Sequence, residues 1–176
     1  MRNIVIIGMS GVGKNEVGKE LAQKLHWDFL DTDQIIVEQK GISIDEIFQK
    51  YGEEYFRECE SKVVSNVSKE NNTIISTGGG VVLKEENIEK LRQNGYIFLL
   101  MGKIDTIVEN LHNSTMNKPL LKDSLDLKEK VKSLFKSSEH LYLISSDCIV
   151  NIDDKSLDEI TKEIIIEHEK LNKRFN

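Results

Sequence analysis

The chain has 176 residues, a length that suits one domain with a substantial core, and we expect residues 1–176 to form a single domain. Its hydrophobic fraction of 39% and charged fraction of 31% are typical of a globular protein rather than a disordered or membrane-embedded one. The net charge of −6 has the wrong sign for binding nucleic acid. We expect a cytoplasmic protein that works as a monomer, with no nucleic-acid or membrane partner, and its two cysteines, Cys59 and Cys148, suit a reducing compartment.

Apolar runs alternate with helical periodicity along the chain, which predicts an α/β fold around a parallel sheet. A polar, aperiodic stretch at about 113–124 contains the only proline, Pro119, and predicts a mobile lid. The predicted strands are, in chain order, Asn3–Ile7, Asp28–Leu30, Thr73–Ser76, Tyr96–Met101 and Cys148–Ile152. Predicted helices follow the first strand, then cover about 42–51, 53–69, 84–93, 106–112 and 126–142, and the last begins after Ser156.

The turn after the first strand has the composition of a phosphate-binding loop. Residues 8–15 are Gly-Met-Ser-Gly-Val-Gly-Lys-Asn, which is the G-x-x-x-x-G-K pattern in a strand–loop–helix setting. The glycines let successive backbone N–H groups point at phosphate oxygens, and the helix N-terminus adds partial positive charge. Lys14 supplies a full positive charge for the outer phosphates.

The last position of this loop departs from the pattern. The pattern has Ser or Thr after the lysine, with a hydroxyl that binds Mg²⁺, whereas this chain has Asn15. Mg²⁺ takes oxygen ligands in near-ideal octahedral geometry. The sequence leaves three alternatives open: Asn15 ligates the metal directly, a water molecule takes that position, or metal binding is weakened.

Two carboxylates follow the second predicted strand, at the edge of the sheet where α/β proteins bind ligands. They belong to the run Asp31-Thr32-Asp33. On an extended segment they would point to opposite sides, one towards metal and phosphates and the other towards an acceptor hydroxyl. A carboxylate in the second place takes the hydroxyl proton in phosphoryl transfer. The alternative is that one aspartate only caps the helix that follows.

Arg57 and a glycine triplet complete the candidate site. Arg57 is one of four arginines in a lysine-rich chain, and Glu53 and Glu60 lie at i−4 and i+3 on the same predicted helix. An arginine held in this way offers a fork for a substrate carboxylate, although an ordinary surface ion pair has the same spacing. Gly78-Gly79-Gly80 follows the third strand and indicates either a close approach to the backbone or a flexible turn.

In this order, the motifs resemble the shikimate kinase family. The resemblance covers nearly the whole chain: the phosphate loop, 31–33, 43–48, 52–60, the glycine triplet, Lys118-Pro119-Leu120-Leu121 and Leu141-Tyr142. It implies a three-layer α/β/α fold of the P-loop kinase type, with a five-stranded parallel sheet and a mobile lid. The implied reaction transfers the γ-phosphate of ATP to a ring hydroxyl of shikimate, with Mg²⁺ as cofactor.

The resemblance also implies roles for individual residues. Lys14 and Asp33 are the implied catalytic residues, with Asp33 as proton acceptor, and Asn15 and Asp31 are the implied metal site, Asp31 through water. The residues implied for shikimate binding are Asp33, Arg57, Gly79 and Ser138, with Arg57 on the carboxylate. Those implied for ATP binding are Gly11, Val12, Gly13, Lys14, Asn15, Glu16, Lys118 and Lys155.

Three positions besides Asn15 depart from the family pattern. Lys118 and Ser138 stand where the family usually has arginines. The arginine replaced by Ser138 is the one that binds the substrate carboxylate. The arginine expected near the adenine, around Asn110, is also absent. Lys132 and Lys136 are candidates to replace the missing charge from the same helix. These departures leave two further interpretations open. The chain is then a weak or inactive homologue that binds nucleotide or shikimate, or a kinase of the same fold for another small hydroxylated acid.

Overall fold

The computed structural model describes residues 1–113 and 127–175, and five strands in these ranges form one all-parallel sheet. The strands are β1 Asn3–Ile7, β2 Asp28–Asp31, β3 Thr73–Ser76, β4 Gly95–Met101 and β5 Cys148–Asn151. Their order in the sheet is β2-β3-β1-β4-β5. The order brings the carboxyl ends of β2, β3 and β1 next to one another, although long stretches of sequence separate them.

Seven α-helices and one short 3₁₀ helix, Val81–Leu83, lie in the described part of the chain. The α-helices are α1 Lys14–Leu25, α2 Thr32–Lys40, α3 Ile44–Val67, α4 Glu85–Asn94, α5 Ile104–Asn113, α6 Leu127–Ser145 and α7 Leu157–Phe175. As predicted, the helical segment around residue 52 is interrupted, because Gly52 has a φ of 83° and a ψ of 171° inside α3. In the described ranges no helix combines the length and the apolar character needed to cross a lipid bilayer.

The core lies on both faces of the central strands. All five residues of β1 and the first six of β4 are buried, as expected for parallel strands that helices cover on both sides. Helix α1 packs against α7, and α3 packs against α4. The three-layer α/β/α architecture with a five-stranded parallel sheet is therefore confirmed.

Two boundaries differ from the sequence prediction and affect the site. The second strand is followed at once by α2, which the sequence analysis did not predict, because Asp31 caps that helix. At the other end of the candidate site, Asn113 is the last residue of α5 rather than the first of a loop. The rest of the predicted lid, 114–124, lies outside the described residues, and so does Lys118.

Candidate active site

The candidate site lies at the carboxyl edge of the sheet, where three segments meet. The phosphate loop leaves the end of β1, Asp31 ends β2, and the glycine triplet follows β3. Residue pairing across the sheet puts Ile6 and Asp31 on either side of Ser76. Parallel strands end at the same edge, so three motifs that are distant in sequence face one another across a few ångströms.

The phosphate loop is closed around its own lysine. Lys14 is 8% exposed, and its Nζ donates hydrogen bonds to the carbonyl oxygens of Gly8 (2.7 Å) and Met9 (2.9 Å). Gly13 precedes α1 with a φ of 85°, a left-handed conformation that glycine adopts without strain. On the outer side, Asn110 of α5 donates to the Gly11 carbonyl oxygen at 2.8 Å. Asn110, in the region where the family pattern has an arginine near the adenine, thus supports the phosphate loop instead.

Asn15 joins the loop to both neighbouring strands. Its Nδ2 donates to Asp31 Oδ2 at 2.5 Å, and its Oδ1 accepts from the Ser76 hydroxyl, also at 2.5 Å. The other oxygen of Asp31 accepts from the backbone N–H groups of Asp33 (2.9 Å) and Gln34 (3.3 Å). Both implied metal residues are therefore brought together, but they bind each other.

Asp31 and Asp33 do not lie on one extended segment, as the sequence analysis expected. Asp31 is extended (φ −110°, ψ 117°) and is the N-cap of α2, whereas Asp33 belongs to the first turn of that helix. The capping alternative is thus correct for Asp31, since a carboxylate satisfies the free N–H groups of a helix start. The two side chains nevertheless point in different directions: Asp31 faces Asn15, and Asp33 faces Gly78.

Arg57 is a buried, oriented cation. It is 9% exposed, and its guanidinium donates to Glu53 Oε1 from Nε (3.3 Å) and Nη2 (3.2 Å) and to Glu60 Oε2 from Nη1 (3.0 Å). The predicted bracket of two glutamates is confirmed. Because arginine has five N–H donors, one donor on each terminal nitrogen remains for a ligand.

The glycine triplet is required for the approach of side chains. A Cβ at Gly80 would collide with the Arg57 guanidinium, and one at Gly78 would come within 2.5 Å of Asp33 Oδ1 and 3.0 Å of Glu60 Oε1. A Cβ at Gly79 would meet nothing closer than 3.5 Å, its neighbours being Ser10 of the phosphate loop and Tyr142. Gly79 therefore lies at ordinary van der Waals distance from the phosphate loop, whereas its two neighbours in the triplet lie against the charged cluster.

Burial shifts the acid–base properties of this cluster. It raises the pKa of the fully buried Glu60 carboxyl, against the opposing effect of Arg57, and nearby Asp33 raises that pKa further. Burial also raises the pKa of the Tyr142 hydroxyl far above its usual range. Tyr142 thus stays protonated and donates to the Gly79 carbonyl oxygen at 2.5 Å. Arg57, Glu60 and Tyr142 are thus the buried members of this cluster.

Ser138 lies on the face of α6 that carries Tyr142, one turn earlier, and is half-buried. The lysines suggested as replacements for the missing arginine do not reach this cluster. Lys132 is 64% exposed and pairs with Glu129 at 3.9 Å, and Lys136 is exposed. Lys155 follows β5, and its Nζ pairs with Glu163 Oε2 of α7. A role of Lys155 in ATP binding stays a prediction.

Three polar contributors were missed by the sequence analysis. Ser76 binds Asn15, Thr32 Oγ1 accepts from the Gly78 N–H at 3.1 Å, and Tyr142, to which no site role was assigned, donates to Gly79. A sequence signal existed for two of them. Ser76 ends the third strand two residues before the glycine triplet, and Tyr142 follows Ser138 by one helical turn.

The donor set at the loop suits a hard divalent cation. Asp31 carries carboxylate oxygens, the ligand type of Mg²⁺, and Mg²⁺ usually keeps several waters and takes only one or two protein carboxylates beside substrate phosphates. Within residues 1–113 and 127–175, no group of three or more His, Cys, Asp or Glu forms a self-contained metal cage. The residues present thus fit a Mg²⁺ ion that arrives with a nucleotide.

Comparison with known proteins agrees with this geometry. Residues 10–169 match the family model described as shikimate kinase. A shikimate kinase of Caldanaerobacter subterraneus subsp. tengcongensis is 40% identical over 174 residues, 99% of this chain and 100% of that protein. One of Thermodesulfovibrio yellowstonii is 39% identical over 172 residues, 98% of each chain. The solved structure of a shikimate kinase from Acinetobacter baumannii in complex with shikimate has a TM-score of 0.90 at 27% identity and covers 100% of this chain and 96% of that one. The chain therefore belongs to the shikimate kinase family.

Proposed function

We propose that the protein transfers the γ-phosphoryl group of ATP to a ring hydroxyl of shikimate, in the biosynthesis of aromatic amino acids. One observation carries this proposal beyond the family assignment. The glycine triplet contacts Ser10 of the phosphate loop through Gly79, and through Gly78 and Gly80 it contacts the cluster of Asp33, Arg57 and Glu60. A nucleotide held by the loop and a small hydroxylated acid held by the cluster would therefore be neighbours. Phosphoryl transfer depends mainly on such positioning and on charge stabilisation.

The nucleotide side is formed by the loop and the start of α1. Backbone N–H groups of residues 11–16 surround the phosphates. When nucleotide binds, the Lys14 ammonium gives up its hydrogen bonds to the Gly8 and Met9 carbonyl oxygens and donates to phosphate oxygens instead. The residues assigned to ATP in this way are Gly11, Val12, Gly13, Lys14, Asn15 and Glu16, with Lys118 and Lys155 from elsewhere in the chain. Mg²⁺ supplies charge neutralisation at the phosphates when it is bound, and Asp31 is the carboxylate that would hold it.

The acceptor side is formed by the charged cluster. Asp33 accepts the proton of the attacking hydroxyl, because its carboxylate lies against Gly78, next to the glycine that contacts the phosphate loop. Arg57 binds the substrate carboxylate through its two remaining donors, while Glu53 and Glu60 hold it in place. Gly79 contacts the substrate ring through its backbone, and Ser138 contacts the carboxylate end from α6.

The proposal extends to the whole chain. Residues 1–176 form one domain, with a lid at about 113–124 that closes over bound ATP. The protein works as a cytoplasmic monomer and needs neither nucleic acid nor a membrane.

The test is ADP release by purified protein with ATP and Mg²⁺, with and without shikimate. We expect release that depends on shikimate, and a loss of kcat of at least ~100-fold in Asp33→Asn, which keeps the shape but removes the proton acceptor. Asp28→Asn is the matched control, because Asp28 is an exposed carboxylate at the opposite end of β2 and should leave kcat unchanged.

The alternatives give different results in the same assay. Binding of ATP and shikimate without turnover would favour an inactive homologue, for which the occupied side chain of Asn15 is the supporting observation. Turnover with another hydroxylated acid but not with shikimate would favour a different acceptor. Activity of Asp33→Asn equal to that of the unchanged protein would remove Asp33 from its proposed role.

A further inference from the structure

Asn15 is hydrogen-bonded at both ends of its carboxamide. The nitrogen end donates to Asp31 at 2.5 Å, and the oxygen end accepts from Ser76 at 2.5 Å. Ser76 has no exposed surface, whereas Asn15 and Asp31 are half-buried. The three side chains thus form a bridge that runs from the buried end of β3, across the start of α1, to the cap of α2. We name it the Ser76–Asn15–Asp31 bridge.

Chemistry fixes the direction of this bridge. A carboxylate only accepts hydrogen bonds, so the amide nitrogen of Asn15 must face Asp31. The amide oxygen then faces Ser76, whose hydroxyl is able to donate. The oxygen of residue 15, which is the atom able to ligate a cation, therefore faces the protein interior.

Direct ligation would require this bridge to break. If the Asn15 amide turned its oxygen towards the nucleotide, the Ser76 hydroxyl would lose its acceptor while fully buried, and Asp31 would lose its side-chain donor. A buried polar group that loses its partner is strongly unfavourable. A Ser or Thr at this position has no such conflict, because its short hydroxyl spans neither distance.

We infer that Asn15 is a positioning residue that joins β3, α1 and α2, and that residue 15 gives Mg²⁺ no direct ligand in this chain. The inference rests on the proposed function, and it selects one of the alternatives that the sequence left open, in which water takes the place of a side-chain ligand. Asp31, held by Asn15 and by two backbone N–H groups, would then be the carboxylate that binds the metal through water.

The test compares ADP affinity in Mg²⁺ with ADP affinity in EDTA, measured by calorimetry and expressed as a ratio. Because Asn15 is no ligand, and two backbone N–H groups still hold Asp31 when Asn15 is removed, the ratio for Asn15→Ala should stay within about twofold of that of the unchanged protein. Asn15→Ser restores a hydroxyl, and its ratio should rise by about tenfold, the lower end of the range for changes around a bound metal. A ratio that collapses in Asn15→Ala, or one that does not rise in Asn15→Ser, overturns the inference.

Thermal unfolding without nucleotide tests the bridge independently. Asn15→Ala and Ser76→Ala should each lower Tm, and the double variant should fall no further than the worse single one, because both changes break the same bridge. Additive losses would overturn the bridge. Failure of the unchanged protein to bind ADP in either buffer would contradict the proposed function instead, and the unfolding data would still decide the bridge.

Discussion

At the scale of single residues, the environment decides what each charged or polar group does. Arg57 has an ordinary surface spacing to two glutamates in sequence, yet it is 9% exposed and lies directly against Gly80. Glu60, its partner, has no exposed surface at all. Separating a buried pair of this kind leaves an uncompensated buried charge, which is strongly unfavourable. The two side chains therefore stay together. Burial therefore makes Arg57 suitable as a fixed anchor for a substrate carboxylate.

Two alanine substitutions in the glycine triplet should separate binding from catalysis. Gly80→Ala displaces the Arg57 guanidinium, so we expect the KM for shikimate to rise by about tenfold with a smaller effect on kcat. Gly78→Ala displaces Asp33, the proton acceptor, so we expect kcat to fall by a similar factor.

Steady-state kinetics with both substrates varied measure these effects. The KM for ATP serves as the internal control, since the colliding atoms belong to the acceptor side. Thermal unfolding shows whether the fold is kept. Equal effects of the two variants on kcat and on KM would contradict the division of roles between Arg57 and Asp33.

At the scale of elements, α6 presents one face to the site. Tyr142 lies on this face and reaches Gly79, and Ser138 precedes it by one turn. Ser137, the next residue back, is exposed and bonds only to the Leu134 carbonyl oxygen of its own helix among the hydrogen bonds described. The helix thus offers two adjacent serines, of which one faces the site and the other faces solvent.

This pair makes a matched test of the missing arginine. Ser138→Arg should lower the KM for shikimate by about tenfold, the value of one charge-assisted hydrogen bond of ~1.5 kcal/mol. Ser137→Arg adds the same charge on the solvent side and should leave the KM unchanged. A Ser138→Arg variant with the KM of the unchanged protein would show that a second cation at this position does not strengthen binding of the substrate carboxylate.

At the scale of the whole molecule, His168 of α7 ties the C-terminal helix to the rest of the fold. It is 3% exposed, and its Nε2–H donates to the Arg2 carbonyl oxygen at 2.8 Å. Its ring makes edge contacts with Trp27 at 5.5 Å and Tyr96 at 5.9 Å. Burial lowers the pKa of this imidazole, against the opposing effect of the Arg2 carbonyl, and the N-terminal ammonium lowers it further.

Stability should therefore depend on pH through His168. A histidine whose pKa is lower in the folded state contributes stability that is fully present above the unfolded pKa of about 6.5 and is lost as the pH falls through the folded pKa. We expect the free energy of unfolding to fall between pH 7.5 and pH 5, with on the order of 1 kcal/mol of this loss absent in His168→Gln.

Urea unfolding at the two pH values measures this difference. His140→Gln is the control, because His140 is exposed on α6, and its loss between the two pH values should equal that of the unchanged protein. Carboxylates also titrate in this range, but they are the same in all three proteins, so their contribution to the pH dependence cancels in the comparison. An identical loss in His168→Gln would exclude His168 as a source of the pH dependence.

Much of the fold could be predicted because its signals are local. The buried strand Asn3–Ile7, the glycine break at Gly52 and the phosphate loop each depend on residues that are neighbours in sequence. Helix α2 was missed for a similar local reason. Asp31 was assigned to the metal site, although its carboxylate also caps the helix that it begins.

The sequence by itself determined the α/β class, the phosphate loop and the family, and it left open whether Arg57 forms an oriented anchor or a surface ion pair. Only the tertiary structure decided that Ser76 meets Asn15, 61 positions away, and that Gly80 is a glycine because the Arg57 guanidinium lies on it. The physical reason is the strand order β2-β3-β1-β4-β5, which places segments together through register and crossover rather than through periodicity. Local pattern specifies an element, whereas the chemistry of the site depends on which elements end side by side.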